Sequence, residues 1–194
     1  VGARIADARA MLETERLRLR QWRDEDYSAY ARLNADPMVM RYFPSTLSEQ
    51  QSHEQADKFR SLIAERGWGM WAVESKASGE FIGISGLNPL AGDSGIPHAP
   101  LTEIAWRILA ADWGKGYAPE AARRVLQFAF EELALDAVYA FTAQVNMPSQ
   151  RVMIKVGMRN TGEDFNHPKL ESGHELERHC LYVLTKERWL ATNR

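Results

Sequence analysis

The segment DWGKGYAPEA, Asp112–Ala121, constrains the fold more than any other stretch of this chain. Two glycines two apart allow positive φ and the close approach of another group. Before them, LTEIAWRIL reads as a strand; after them, PEAARRVLQFAFEEL reads as a helix, with Pro119 in its first turn and Ala121, Val125, Phe128 and Ala129 on one apolar stripe. A strand that runs through a glycine loop into a helix start leaves backbone N–H groups unpaired at the positive end of the helix dipole, which makes an anion site. Two phosphate loops fail on its residues. Lys115 is followed by Gly116 rather than Ser or Thr, and position 119 is proline where the dinucleotide fingerprint needs a small third residue.

The flanking chain alternates strands and helices. RLRLRQW alternates with period two, which sets Leu17, Leu19 and Gln21 opposite the arginines. Asp24 is the predicted N-cap of a helix carrying Tyr27, Tyr30 and Leu33 and ending before Pro37. A second helix is predicted from Ser48, with Gln51 completing a capping box, to about Arg66. GMWAVES and EFIGISGL form a predicted hairpin through KASG, and a loop runs from Asn88 to Pro100. AVYAFTAQV is a strand, NMPSQRVMIKVG a short helix capped by Asn146, and RHCLYVLTKERWL a last strand with a closing segment. The pattern predicts a mixed α/β (α+β) sheet domain.

Composition excludes several classes. At 45% hydrophobic and 26% charged, 194 residues suit one globular domain. A net charge of −2 offers no basic field for nucleic acid or an anionic membrane surface, and no apolar run reaches 18 residues. The lone Cys180 reads as a small buried hydrophobe, and the expected setting is cytoplasmic. VGARIADARA, residues 1–10, precedes Met11 and reads as an expression remnant or an upstream extension, with 11–194 as a single domain. His167, His174 and His179 match no zinc spacing, so no metal is expected.

The loop Trp113-Gly114-Lys115-Gly116-Tyr117-Ala118 resembles the coenzyme A loop Gln/Arg-x-x-Gly-x-Gly/Ala of the GNAT superfamily of N-acetyltransferases, with Trp113 where many members carry Gln or Arg. TEIAW, Thr102–Trp106, is similar to the segment that supplies a general base there. NMPSQRVMIKVGM is similar to the family's Asn-x-x-Ser segment, and the opening TERLRLRQWRDEDYSAYARLNADPMVMRYFP looks like the start of the ribosomal-protein N-terminal acetyltransferase branch.

The resemblance implies a GNAT-like domain of six to seven strands and about four helices, its mostly antiparallel sheet splayed at the centre by a bulge. It implies acetyl-CoA as co-substrate, held by residues 113–118 and by Asn146. The reaction it implies is direct acetyl transfer to a primary amine, a protein N-terminus or a small molecule, in a monomer or homodimer. Glu103 would take the amine's proton, and a backbone N–H near Ile108 or Leu109 would stabilise the oxyanion. Met153 stands where many members place a tyrosine acid, so Ser149 is the matching proton donor. Other readings are a rim Glu103 paired with Arg107 or Arg151, Ser149 as a first-turn cap, and a non-catalytic acyl-CoA sensor. Trp68, Trp71, Tyr42 and Phe43 are the aromatic candidates for the acceptor side.

Overall fold

A computed structural model describes residues 11–193; residues 1–10, and the reading given to them, lie outside the described residues. The strands are β1 (Leu12–Glu13), β2 (Leu17–Arg20), β3 (Met70–Ser75), β4 (Phe81–Leu90), β5 (Leu101–Ile108), β6 (Ala137–Ala143), β7 (Arg159–Asn160), β8 (Phe165–Asn166) and β9 (Arg178–Thr185). The helices are α1 (Asp26–Ala35), α2 (Glu49–Arg66), α3 (Tyr117–Glu131), α4 (Met147–Lys155) and α5 (Lys186–Thr192). The sheet order is β1-β2-β3-β4-β5-β6-β9-β7, with β8 on β9. Three of the nine strands have only two residues, which reconciles the count with the six or seven expected.

Every neighbouring pair is antiparallel except β5 and β6, which run parallel and share the single partner pair Glu103 and Tyr139. The sheet is therefore two halves joined at one point, and they diverge beyond it. No bulge in β5 causes this: its register on β4 is unbroken from Leu101 to Ile108, and the irregularity falls instead at Val73/Glu74, between β3 and β4.

Local rules account for most helix ends. Ser48 accepts from the Gln51 N–H while the Gln51 side chain returns to the Ser48 N–H, and α2 stops where Gly67 turns left-handed. Helix α1 departs from expectation. Asp24 is exposed and bonds Arg60, whereas Asp26 is buried and accepts from the Arg23 N–H and the Arg20 guanidinium. Arg20 is buried as well, with two bonds to Asp26 and one to Glu74, so β2 does not send all its arginines to solvent. Burial alone would push the Glu74 carboxyl up, but bonds from Arg20 and Arg18 hold it below its ordinary value.

Helix α3 covers one face of the sheet and α1 and α2 the other. Trp71 of β3, in register with Ser85 and Trp106, meets Phe128 of α3 edge-on at 5.3 Å. On the opposite face Trp22 packs against Tyr30 at 4.9 Å and donates its indole N–H to the Met70 carbonyl.

Candidate active site

Strand β5 builds the site through two alternations. Its side chains alternate between faces, so Ile104, Trp106 and Ile108 face α3 while Glu103, Ala105 and Arg107 face α1. Its backbone groups alternate between neighbours. The Leu109 N–H donates to the Ile82 carbonyl at 2.9 Å, which assigns the odd-numbered amides of β5 to β4 and turns the even-numbered ones toward β6. Strand β6 takes the Ile104 amide, across the Glu103 and Tyr139 pair, and then veers away. The amides of Trp106 and Ile108 are left facing the gap. Leu109 is thus corrected as a donor, because its amide is already bound to β4.

The gap opens into a cavity of about 820 Å³, within the usual range for small-molecule sites. Its walls include Glu103–Ile108 of β5, Phe141–Ala143 of β6, the glycine loop, the start of α4 and the segment before α2. Trp113, Gly114, Gly116, Tyr117 and Ala118 line it, with Gly114 and Gly116 at φ of 75° and 80°. Gly116 is also the N-cap of α3, and no side chain caps that helix start. Lys115 leans on Asp112 at 3.4 Å. The Trp113 indole N–H donates to the Ile108 carbonyl at 2.9 Å, bracing the loop against the end of β5. Arg151 and Lys155 of α4 add positive charge on the same side.

Glu103 is half-buried, and what it exposes faces the cavity. Burial pushes its carboxyl up to about 7, against smaller opposing effects from the neighbouring Asn88 side chain and the Lys169 charge. It pairs with neither Arg107 nor Arg151 among the described residues. Asn146 caps α4 by accepting from the Ser149 N–H at 3.2 Å, and its amide donates to Thr142 at 2.9 Å. Since Asn146 does the capping, the Ser149 hydroxyl is not used as a cap, and it lines the cavity. Met153 lines it too, with no phenol at that position.

Two aromatic candidates are corrected. Trp71 is fully buried against Phe128, and Trp68 lies under the Arg66 guanidinium at 3.9 Å, outside the cavity wall. Tyr42 and Phe43 do line the cavity. So do His167 and His179, whose rings lie 4.9 Å apart; burial lowers both below the ordinary histidine value. No group of three metal-ligating side chains occurs among the described residues. Asn88 and Arg107 complete the wall. The odd-residue spacing from Glu103 marks Arg107 in the sequence, but nothing local marks Asn88, which depends on the β4 register.

Residues 16–159 match the family described as an acetyltransferase (GNAT) domain. The chain belongs to the GNAT acetyltransferases. It is an acetyl-CoA-dependent acyltransferase. It is 31% identical over 193 residues to the FsC-acetyl coenzyme A-N(2)-transacetylase of Aspergillus fumigatus, covering 94% of this chain and 79% of that protein. A GNAT acetyltransferase structure from Bacillus anthracis superposes with a TM-score of 0.76 at 26% identity, covering 91% of this chain and 99% of that one. Mycobacterium smegmatis RimJ, solved with CoA-disulfide, shares the fold at a TM-score of 0.67 and 21% identity, over 92% and 90% of the two chains. No helix among the described residues is long and apolar enough to cross a membrane.

Proposed function

We propose that residues 11–194 act as one N-acetyltransferase domain that moves an acetyl group onto a primary amine by direct attack in a ternary complex. One observation carries the reading: the unpaired amides of Trp106 and Ile108 face the same gap as a carboxyl raised to about 7. The gap fits coenzyme A, with a helix start and two left-handed glycines at its mouth for the pyrophosphate and a strip of free amides for the arm. Trp113, Gly114, Lys115, Gly116, Tyr117, Ala118 and Asn146 are assigned to hold it. When bound, acetyl-CoA supplies an acyl thioester.

The chain's own residues do the rest. Glu103 takes the proton of the incoming ammonium, directly or through water, and its raised pKa suits a base working near neutrality. The Ile108 amide donates to the thioester carbonyl oxygen as charge builds there, and the Trp106 amide, one pleat away, is left for the cofactor arm. The Ser149 hydroxyl is assigned to protonate the departing sulfur, a modest demand because a thiol has a pKa of only about 8.5. The Aspergillus relative is named for acetylation at an N(2) nitrogen, which favours a small-molecule amine over a protein N-terminus.

Calorimetric titration with acetyl-CoA, followed by thiol release over a panel of amines and short peptides with Glu103→Gln alongside, tests this. Binding with amine-dependent release that the substitution abolishes is the expected result. The absence of a tyrosine at Met153 favours one second reading, an acyl-CoA sensor; tight binding with no release from any amine would establish it instead.

A further inference from the structure

Arg107 is held on one edge and unpartnered on the other. Its Nη1 donates to Asn34 Oδ1 and, at 3.4 Å, to the Tyr30 hydroxyl, and the guanidinium lies over the Phe43 ring at 4.6 Å. Both partners are fixed in turn. The fully buried Asn34 donates its amide to Ser52 at 3.0 Å, which points its oxygen at Arg107, and the Tyr30 hydroxyl donates to Gln55. On the other edge Nε is buried with no hydrogen-bond partner, and Nη2 has none among the described residues. No carboxylate reaches Arg107 within ion-pairing range among the described residues. A strut between β5 and α1 needs only Nη1; an orphaned, buried N–H beside an open cavity carries a desolvation cost that strutting does not explain.

The edge formed by Nε and Nη2 is the one an arginine offers side-on to a carboxylate, through two parallel hydrogen bonds. Arg107 lines the cavity, as does Arg41. The acidic residues of the same wall are Glu103, needed for the amine, and Asp112, already paired with Lys115. Glu103, Ala105 and Arg107 share one face of β5, so the Cα atoms of Glu103 and Arg107 lie about 13 Å apart along the strand with only the Ala105 methyl between the two side chains. The wall offers an anion at one end and an uncompensated cation at the other.

We propose that Arg107 seats a carboxylate of the acceptor, so that the enzyme acetylates amines that carry a carboxylate of their own. The inference rests on the acyl-transfer reading above, and its test is a binding measurement that needs no turnover. Protein saturated with coenzyme A is titrated with N-acetylglycine and its amide, with a panel of other N-acetyl amino acids and their amides, and with an N-acetyl dipeptide amide ending in glutamate or glutamine. The wild type is expected to bind acids at least ~10-fold tighter than the matching amides. Arg107→Gln removes that preference at unchanged coenzyme A affinity, and Arg107→Lys, a cation without the fork, keeps part of it.

Preference among the N-acetyl amino acids marks a small-molecule acceptor, and preference confined to the glutamate peptide marks an acidic side chain; either supports the inference. Equal affinity for acid and amide, binding of neither, or a preference that survives Arg107→Gln overturns it. Should Arg107→Gln fail to fold, as a melting curve reveals, the wild-type acid-to-amide ratio and Arg107→Lys decide. Failure of the transferase reading shows separately, as no thiol release with any amine while the acid preference persists.

Discussion

Glu103 joins stability and chemistry in one side chain. Its carboxyl, raised to about 7 chiefly by burial, binds a proton more tightly in the folded chain than in the unfolded one. The stability this contributes is complete below the ordinary glutamate value and is lost as pH rises through 7, because above that pH the fold must hold a buried charge. Glu103→Gln is therefore expected to melt higher than the wild type at pH 8, by at most ~3 kcal/mol of stability, with the difference shrinking toward pH 4.5. The same substitution is expected to lower kcat/KM by ~10²–10⁴. The wild-type profile should rise through about pH 7, and the variant should lack that limb. His167 and His179, lowered by burial, protonate below their ordinary range and leave the limb to Glu103. A variant both less active and less stable at pH 8 would mark Glu103 as structural.

At the scale of elements, the sequence is readable wherever one or two turns of chain decide the outcome. The Ser48 and Gln51 capping box, the Gly67 stop of α2, the Asn146 cap and the glycine turn before α3 are all contacts within a few residues. What stays hidden depends on partners far along the chain. Arg20 reads as a solvent-facing member of an alternating strand, but Glu74, 54 residues away, makes it the centre of a buried cluster that also takes in Asp26, the first residue of α1, whose N-cap is Glu25 rather than Asp24. In the same way Leu109 looks free until Ile82 claims its amide. The cluster yields a test by urea denaturation: Arg20→Met leaves the buried Asp26 without its guanidinium partner and Glu74 with only Arg18 and Arg23, and is expected to cost ~3–5 kcal/mol. A loss under 1 kcal/mol would mean that water reaches the two carboxylates. At the start of α3, Gly116→Ala forces a side chain to positive φ beside Arg16, whose Nη2 would lie 3.4 Å from the new Cβ. Acetyl-CoA affinity should fall at least ~10-fold for a stability loss of only ~1–2 kcal/mol. Unchanged affinity would remove the loop from the cofactor site.

Across the whole molecule, the weakest seam is also the functional one. Strands β1 to β5 form one hydrogen-bonded half and β6 to β9 the other, and the Glu103 and Tyr139 pair is their single point of sheet pairing. A ligand lying in the gap replaces the missing ladder, bonding to the Trp106 and Ile108 amides as a strand would. Acetyl-CoA at a hundredfold excess over Kd adds ~2.7 kcal/mol by mass action, which for a chain of this length raises Tm by roughly 5–10 °C. Hydrogen exchange locates the effect. The amides of Trp106 and Ile108, open to the gap, should exchange fast in the free protein and slow markedly on acetyl-CoA binding, while Leu109, bonded to Ile82 throughout, should change little. Protection confined to residues 113–118 would place the cofactor arm outside the gap. It would also remove Ile108 from the chemistry, because an amide the ligand never covers cannot be the donor at its carbonyl.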